Sequence, residues 1–309
     1  MIAFNPEKVA FGRHETFPLR YGWLTKGFRN WCENPDAFSE EDPTVVLGVG
    51  KNMVTSIRYW LEAAQIANSV QAHRLTASAI GKRLFSSGSG WDPFLEDDAS
   101  LWLLHWLIAS NPTDATTVYW YFNRYHKPEF TSGELFGALS DFVREHTKTR
   151  AADSTLKHDI NVLLRMYGPH ETVKGAPIEE GLDSPMTMLG LIQRSGDGKH
   201  FIARISERRR LPVAAFGFAV LDLMEAMNQS SIPVERLMRA DNQFAAPGSV
   251  FRLTEDGLVT KLEELIHWLP GIMELRENAG IHQLYQLHRY SKYDLLAQHF
   301  VGTRLEKAA

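Results

Sequence analysis

The chain has 309 residues, 44% hydrophobic and 23% charged, with a formal net charge of −4, the make-up of an ordinary globular protein. That balance excludes a strongly basic nucleic-acid coat while leaving room for a local basic face. The single Cys32 excludes a disulfide framework and a cysteine-based zinc cage. No apolar run reaches the length of a membrane span, and the start "MIAFNPEKVAFGRHE" lacks a secretory pattern. A cytoplasmic location with no membrane partner is therefore expected.

In chain order, "FGRHETFPLRYGWLTKGF" (Phe11–Phe28) interleaves Arg13, Arg20 and Lys26 with Phe17, Tyr21 and Trp23. Cations among aromatics suit a nucleic-acid backbone with stacked bases, and adjacent His14 and Glu15 could form an acid–base pair. The alternative is an aromatic core segment whose charges reach outward.

The stretch "VVLGVGKNMVTSIRYWLEAAQI" (Val45–Ile66) raises a sharper choice. A phosphate loop needs G-x-x-x-x-G-K-S/T, but Val45 stands at the first glycine and Asn52 at the metal-binding hydroxyl. A dinucleotide fingerprint fails as well, with Met53 at its third glycine, so no nucleotide cofactor is expected. Val54, Ile57, Leu61 and Ala64 instead form an apolar helical stripe, opposite Lys51, Thr55, Arg58, Tyr59 and Glu62. A glycine turn before such a helix fits a helix-turn-helix, whose second helix enters the major groove by its first residues. Lys51 and Arg58 would hold phosphates, Thr55 stands beside them, and Asn52 or Tyr59 would approach bases. A plain surface helix is the alternative.

"WDPFLEDDASLWLLHW" (Trp91–Trp106) carries Asp92, Glu96, Asp97 and Asp98. Hard carboxylates could hold Mg²⁺ or Mn²⁺ for phosphodiester hydrolysis, and acids just ahead of a helix also serve its N-terminus. No nuclease signature of the PD-(D/E)xK or HNH type and no paired histidine ligands accompany them.

Helical stripes recur over Leu101–Ala109, Leu135–Val143, Leu156–Tyr167, Phe216–Met227 and Leu258–Trp268. Within "AADSTLKHDINVLLRMY" (Ala151–Tyr167), Asp153 or Ser154 can cap, leaving Thr155, Lys157 and His158 available near the helix start. "VFRLTEDGLVTKLEELIHWL" (Val250–Leu269) reads as a strand, a Thr254 cap and a helix. Strands are expected only at Thr44–Leu47, His200–Ala203, Val250–Leu253 and Gly271–Leu275. The run "ARISERRRLP" gathers Arg204, Arg208, Arg209 and Arg210, suited to phosphates or an acidic partner unless it is a solvated charge run. The expected fold class is mainly α, with helical bundle domains containing helix-turn-helix or winged-helix modules and small β wings. Three blocks are expected, residues 1–130, 131–192 and 193–309, with a joint in the loop "GPHETVKGAP" after Tyr167.

The blocks "RHETFPLRYGWLTKG", "LGVGKNMVTSIRYWLEA" and "DPFLEDDASLWLLHWLI" closely resemble a bacterial family catalogued as a domain of unknown function, encoded in clusters for DNA phosphorothioate modification and anti-phage defence. "STLKHDINVLLRMY", "SPMTMLGLI" and "VFRLTEDGLVTKLEEL" extend the resemblance more weakly. Family members in Ssp-type systems are the B components, described as DNA-nicking nucleases. They act beside a cysteine desulfurase, an ATPase and a sulfurtransferase. The resemblance implies DNA as substrate and strand scission where sulfur enters the backbone; it assigns no catalytic residue. From residue type and spacing, His14, Glu15, Glu96 and Asp97 are the catalytic candidates and Asp92, Glu96, Asp97 and Asp98 the metal candidates. Arg13, Arg20, Lys26, Lys51, Asn52, Thr55, Arg58, Tyr59, Lys157, Arg208, Arg209 and Arg210 are the candidates for contacting DNA. The rival reading is a non-catalytic DNA-recognition and assembly subunit; a transcription regulator would further require a homodimer.

Overall fold

A computed structural model describes residues 1–38, 43–71, 74–169, 184–278 and 281–308. Most of the expected joint, from residue 170 to 177, lies outside them. The first stretch runs α1 (Trp23–Glu33), α2 (Pro43–Leu47), α3 (Lys51–Ala63), a hairpin β1 (Ala67–Gln71) and β2 (Arg74–Ala77), and α4 (Ala79–Phe85). Then come α5 (Asp98–Ala109), α6 (Thr116–Asn123), β3 (Glu129–Phe130), α7 (Ser132–His146) and α8 (Asp153–Tyr167). A 3-10 turn at Pro185–Leu189 leads into β4 (Gln193–Arg194) and β5 (Phe201–Ile202). The last stretch holds α9 (Val213–Met227), β6 (Ser231–Pro233), α10 (Val234–Met238), α11 (Pro247–Val250), α12 (Glu255–Trp268), β7 (Met273–Asn278), β8 (Ile281–Gln286) and α13 (Lys292–Ala308). The fold is mainly α with small antiparallel sheets, as expected.

Two helices are apolar all round, and such helices belong in a core. Every residue of α5 from Ala99 to Ala109 is buried, as is α9 from Ala214 to Met224. The two pack on each other, and on α9 Gly217 permits the approach of two further helices: a Cβ there would meet Leu265 of α12 at 2.6 Å and Leu295 of α13 at 2.8 Å. One hydrophobic cluster runs from Leu61 through Tyr167 to Phe251, joining all three stretches. Long-range hydrogen bonds tie buried polar groups into it: the Trp106 indole donates to Asp222 at 2.9 Å, and Arg252 donates to the carbonyls of Tyr121 and Tyr125.

Amphipathic helices α7, α8 and α12 bury the stripes read from the sequence and begin at recognisable signals. Thr131 and Glu134 form a capping box on α7, and Thr254 accepts the Gly257 N–H at the start of α12. At α8 the cap position falls on Ala152, so Asp153 sits in the first turn instead of capping. Two expected strands do not form. Thr44–Leu47 lies in α2, where Pro43 opens the helix and Gly48, at φ 59°, ends it; that proline–glycine bracketing outweighs the β-branched run. Val250–Leu253 closes α11 in a turn, leaving one bridge between Ser206 and Leu253.

The small sheets share a pattern. In the β3-β5-β4 and β6-β8-β7 sheets, a strand ahead of two or three helices bonds to the last strand of the hairpin behind them. The β1–β2 hairpin likewise follows α2 and α3. Among the described residues no helix is long and apolar enough to cross a membrane.

Candidate nucleic-acid interface

The N-terminal loop is fixed by one buried carboxylate. Asp159 of α8 accepts the Gly12 N–H at 2.8 Å, the Thr117 hydroxyl at 2.8 Å and the His14 ring at 2.9 Å. The Thr16 N–H donates to His14 Nδ1, which puts the ring proton on Nε2, facing Asp159. His14 is only 5% exposed with both nitrogens engaged, whereas Glu15 is exposed at φ 49°. The two are therefore not a facing acid–base pair: the histidine partner is Asp159, a residue not selected from the sequence.

This anchoring presents Arg13 to a cleft of about 510 Å³ against α3, lined also by Thr55, Arg58, Tyr59 and Glu62. The cleft thus brings together four of the residues expected to contact DNA, and two acids accompany them. Arg13 pairs with Asp114 at 3.1 Å and Arg58 with Glu62 at 3.2 Å. Tyr59 does not lie on the solvent face. It is buried, its hydroxyl donates to the Asp114 carbonyl at 2.8 Å, and burial drives its phenol pKa far upward. Lys51 and Asn52 stand exposed at the start of α3. Arg20 lies over the rings of Phe17 and Trp23, and Lys26 donates to the Leu47 carbonyl.

A larger groove, about 860 Å³, opens between α8 and the β4–β5 hairpin. His158, Asn161 and Arg165 of α8 form one wall and Arg194, Lys199 and Phe201 of the hairpin another, with Thr131 and Ser132 also lining it. Lys157 sits on the exposed side of α8, over the Phe136 ring. Asn161, Arg165, Arg194 and Lys199 were missed in the sequence. Their signal was the repeat of polar residues four apart along α8, together with basic residues flanking a glycine turn in "RSGDGKH".

The arginine cluster divides by environment. Arg208 is half-buried at φ 48°, donating to the carbonyls of Phe251 and Arg204; burial and then the nearby Arg252 charge pull its pKa down to about 10. Arg209 is exposed and pairs with Glu207, and Arg210 is exposed.

The acids of the Trp91–Asp98 loop also divide. Asp92 is buried, and its two oxygens accept the backbone N–H groups of Glu96 and Asp97. Asp97 caps α5 through the Ala99 N–H and meets His299 of α13 at 3.1 Å. Glu96 and Asp98 are exposed, and their side chains take no part in these bonds. Burial first, then the charges of Asp92, Glu96 and Asp98, raise the pKa of Tyr21, whose hydroxyl donates to the Leu95 carbonyl. Among the described residues no three His, Cys, Asp or Glu side chains converge to hold a metal. The four-carboxylate cage expected from the sequence is thus not assembled, because turn and cap chemistry claims Asp92 and Asp97.

The family pattern of DUF4007, described as a protein of unknown function, matches residues 11–300. The chain belongs to that family. Two solved structures are similar to this DUF4007 chain. A magnesium ion-bound SspB crystal structure is 29% identical with a TM-score of 0.83, covering 96% of this chain and 89% of that one. An SspB crystal structure has 29% identity, a TM-score of 0.82 and the same coverage. No curated protein matches the chain.

Proposed function

We propose that this DUF4007 protein is a DNA-binding component of a bacterial phosphorothioate modification and anti-phage defence system, and that it nicks one DNA strand to admit sulfur. The observation that carries the reading is the likeness to SspB along nearly the whole chain, at 96% coverage and 29% identity. In such a system its partners are DNA, an ATPase, a sulfurtransferase and a cysteine desulfurase.

The repeated helices-then-hairpin pattern supports reading the units around α3, α8 and α12 as winged-helix modules. In each, the helix before the hairpin is the one that would meet a DNA groove. The metal belongs to the proposal in a restricted form. Mg²⁺ commonly takes one or two protein carboxylates and completes its shell with water and substrate phosphate. Glu96 and Asp98, exposed and outside the loop's internal bonds, fit that role, while Asp92 and Asp97 do not. Bound there, the ion would polarise a phosphodiester oxygen.

A second reading, a non-catalytic recognition and assembly subunit, is favoured by the lack of converging metal ligands among the described residues. Supercoiled plasmid incubated with purified protein in Mg²⁺, Mn²⁺ or chelator separates the two. Metal-dependent open circles support the nickase. Intact supercoils together with a shifted DNA band would replace it with the recruiting subunit.

A further inference from the structure

We infer that the groove between α8 and the β4–β5 hairpin is the surface that seats duplex DNA, with α8 in the major groove and the hairpin tip on the flanking backbone. This rests on the DNA-binding reading above and selects one of the three helix-plus-hairpin units for the contact.

The selection follows from charge. The exposed face of α12 carries Glu255, Asp256, Thr260, Glu263 and His267, while its one lysine, Lys261, is buried and paired with Glu264. An acidic face repels phosphate. The α3 face begins well with Lys51, Asn52 and Thr55, but Arg58 is engaged by Glu62, which also lines the cleft, and Arg13 by Asp114. A phosphate entering there must displace a carboxylate from each guanidinium. Along α8, Lys157, His158, Asn161 and Arg165 are all exposed, and their spacing of three, four and eight residues sets them on one face. Asp159 on the same helix is buried and turned to the N-terminal loop, and Asp153 is confined to the first turn.

The hairpin supplies the opposing wall. Arg194 lies over the Phe201 ring at 5.3 Å, which holds the guanidinium plane beside the groove. Gly198, at φ 68°, closes the tight tip. Asp197, exposed on that tip, accepts the N–H groups of Lys199 and His200 and the His200 ring, which ties the one carboxylate of the turn to its own backbone and to a basic neighbour. Among the described residues, the groove lining holds Arg165, Arg194 and Lys199 and no carboxylate. Arginine and lysine at such positions neutralise phosphates and release counterions. Asn161, between them, carries the amide that can bond an adenine edge in two places.

The test is binding of a fluorescent duplex across a salt series by full-length protein and by the Arg165→Ala/Arg194→Ala/Lys199→Ala variant. The variant is expected to lose affinity about ten-fold or more, and its slope of log affinity against log salt should drop by roughly 2 to 3, at about 0.9 per phosphate contact. An Arg144→Ala/Arg276→Ala control also removes cations, but these are paired on the surface outside the groove, and both quantities should hold. Lys199→Glu alone, on the exposed tip, guards against misfolding of the triple variant and should weaken binding several-fold. Should wild type bind duplex while the triple variant and Lys199→Glu keep its affinity and slope, the groove assignment falls and the DNA-binding reading stands. Should wild type neither bind duplex nor nick plasmid, both fall together.

Discussion

His14 donates through Nε2 to the Asp159 carboxylate at 2.9 Å, and both residues are buried. With Gly12 and Thr117 also donating to that carboxylate, one side chain fastens the N-terminal loop to α6 and α8. Arg13 lies between two of the anchored residues, so its place in the α3 cleft depends on a group it does not touch. Asp159→Ala strands three donors at once, two of them buried, and should cost about 3 kcal/mol, with His14→Ala costing about half as much. Urea denaturation checks the pair. A loss below about 1 kcal/mol for Asp159→Ala would deny the carboxylate its anchoring role.

The imidazole of His105 is enclosed by the rings of Phe122, Tyr167 and Phe251. Its Nε2 faces the Val250 carbonyl at 2.8 Å and must donate there, so Nδ1 accepts from the Tyr167 hydroxyl. Burial lowers its pKa from 6.5 to about 3. The unfolded chain therefore binds a proton at this residue below about pH 6.5, while the folded chain stays neutral down to about 3. The associated stability is complete above the unfolded value and is lost as pH falls toward the folded one, at up to about 1.4 kcal/mol per pH unit. His105→Gln should be less stable than wild type at pH about 7.5, yet show a shallower decline between pH about 6.5 and 4.5. Parallel declines for the two proteins would show that His105 titrates normally.

How far the sequence could be read depended on how local each determinant was. The buried stripes of α7, α8 and α12 and the Thr131 and Thr254 caps lie within a few residues of one another, so periodicity and capping rules reach them. Two-residue strands such as Gln193–Arg194 carry no alternation to read, and β6 was missed for the same brevity. Tyr59 neighbours Arg58 at the edge of the polar face of α3, and its burial is decided by Asp114, 55 residues on. Asp92 and Asp97 looked like metal ligands because residue type is visible in a sequence and the N–H groups occupying their oxygens are not. The α8 groove joins Arg165 of the helix to Lys199 of the hairpin, a meeting that no short window of sequence contains.

Within the arginine cluster, the three neighbours should part company on mutation. Arg208 holds the Phe251 and Arg204 carbonyls from a half-buried position, so Arg208→Ala leaves acceptors unmet and should cost about 2 kcal/mol. Arg209 and Arg210 are exposed, and the Arg209→Ala/Arg210→Ala variant should stay within about 0.5 kcal/mol of wild type. Thermal melts of the single and double variants make the comparison. Equal losses would mean that the cluster acts as one surface feature and that the carbonyl contacts of Arg208 carry no stability.

The acidic loop allows structure and chemistry to be separated by mutating it in two pairs. Asp92 and Asp97 hold the loop and start α5, so Asp92→Ala should cost about 2 kcal/mol and Asp97→Ala about 1, the latter also loosening His299 of α13. Glu96 and Asp98 bear neither burden, and replacing both with alanine should move stability by less than about 0.5 kcal/mol. If these two carboxylates hold the ion with a DNA phosphate, the same double variant should lose Mg²⁺-dependent plasmid nicking while binding duplex normally. Restoring one carboxylate at a time should return part of the rate. A Glu96→Ala/Asp98→Ala protein that nicks at the wild-type rate would move the catalytic centre off this loop altogether, leaving its acids the structural work of a turn and a helix cap.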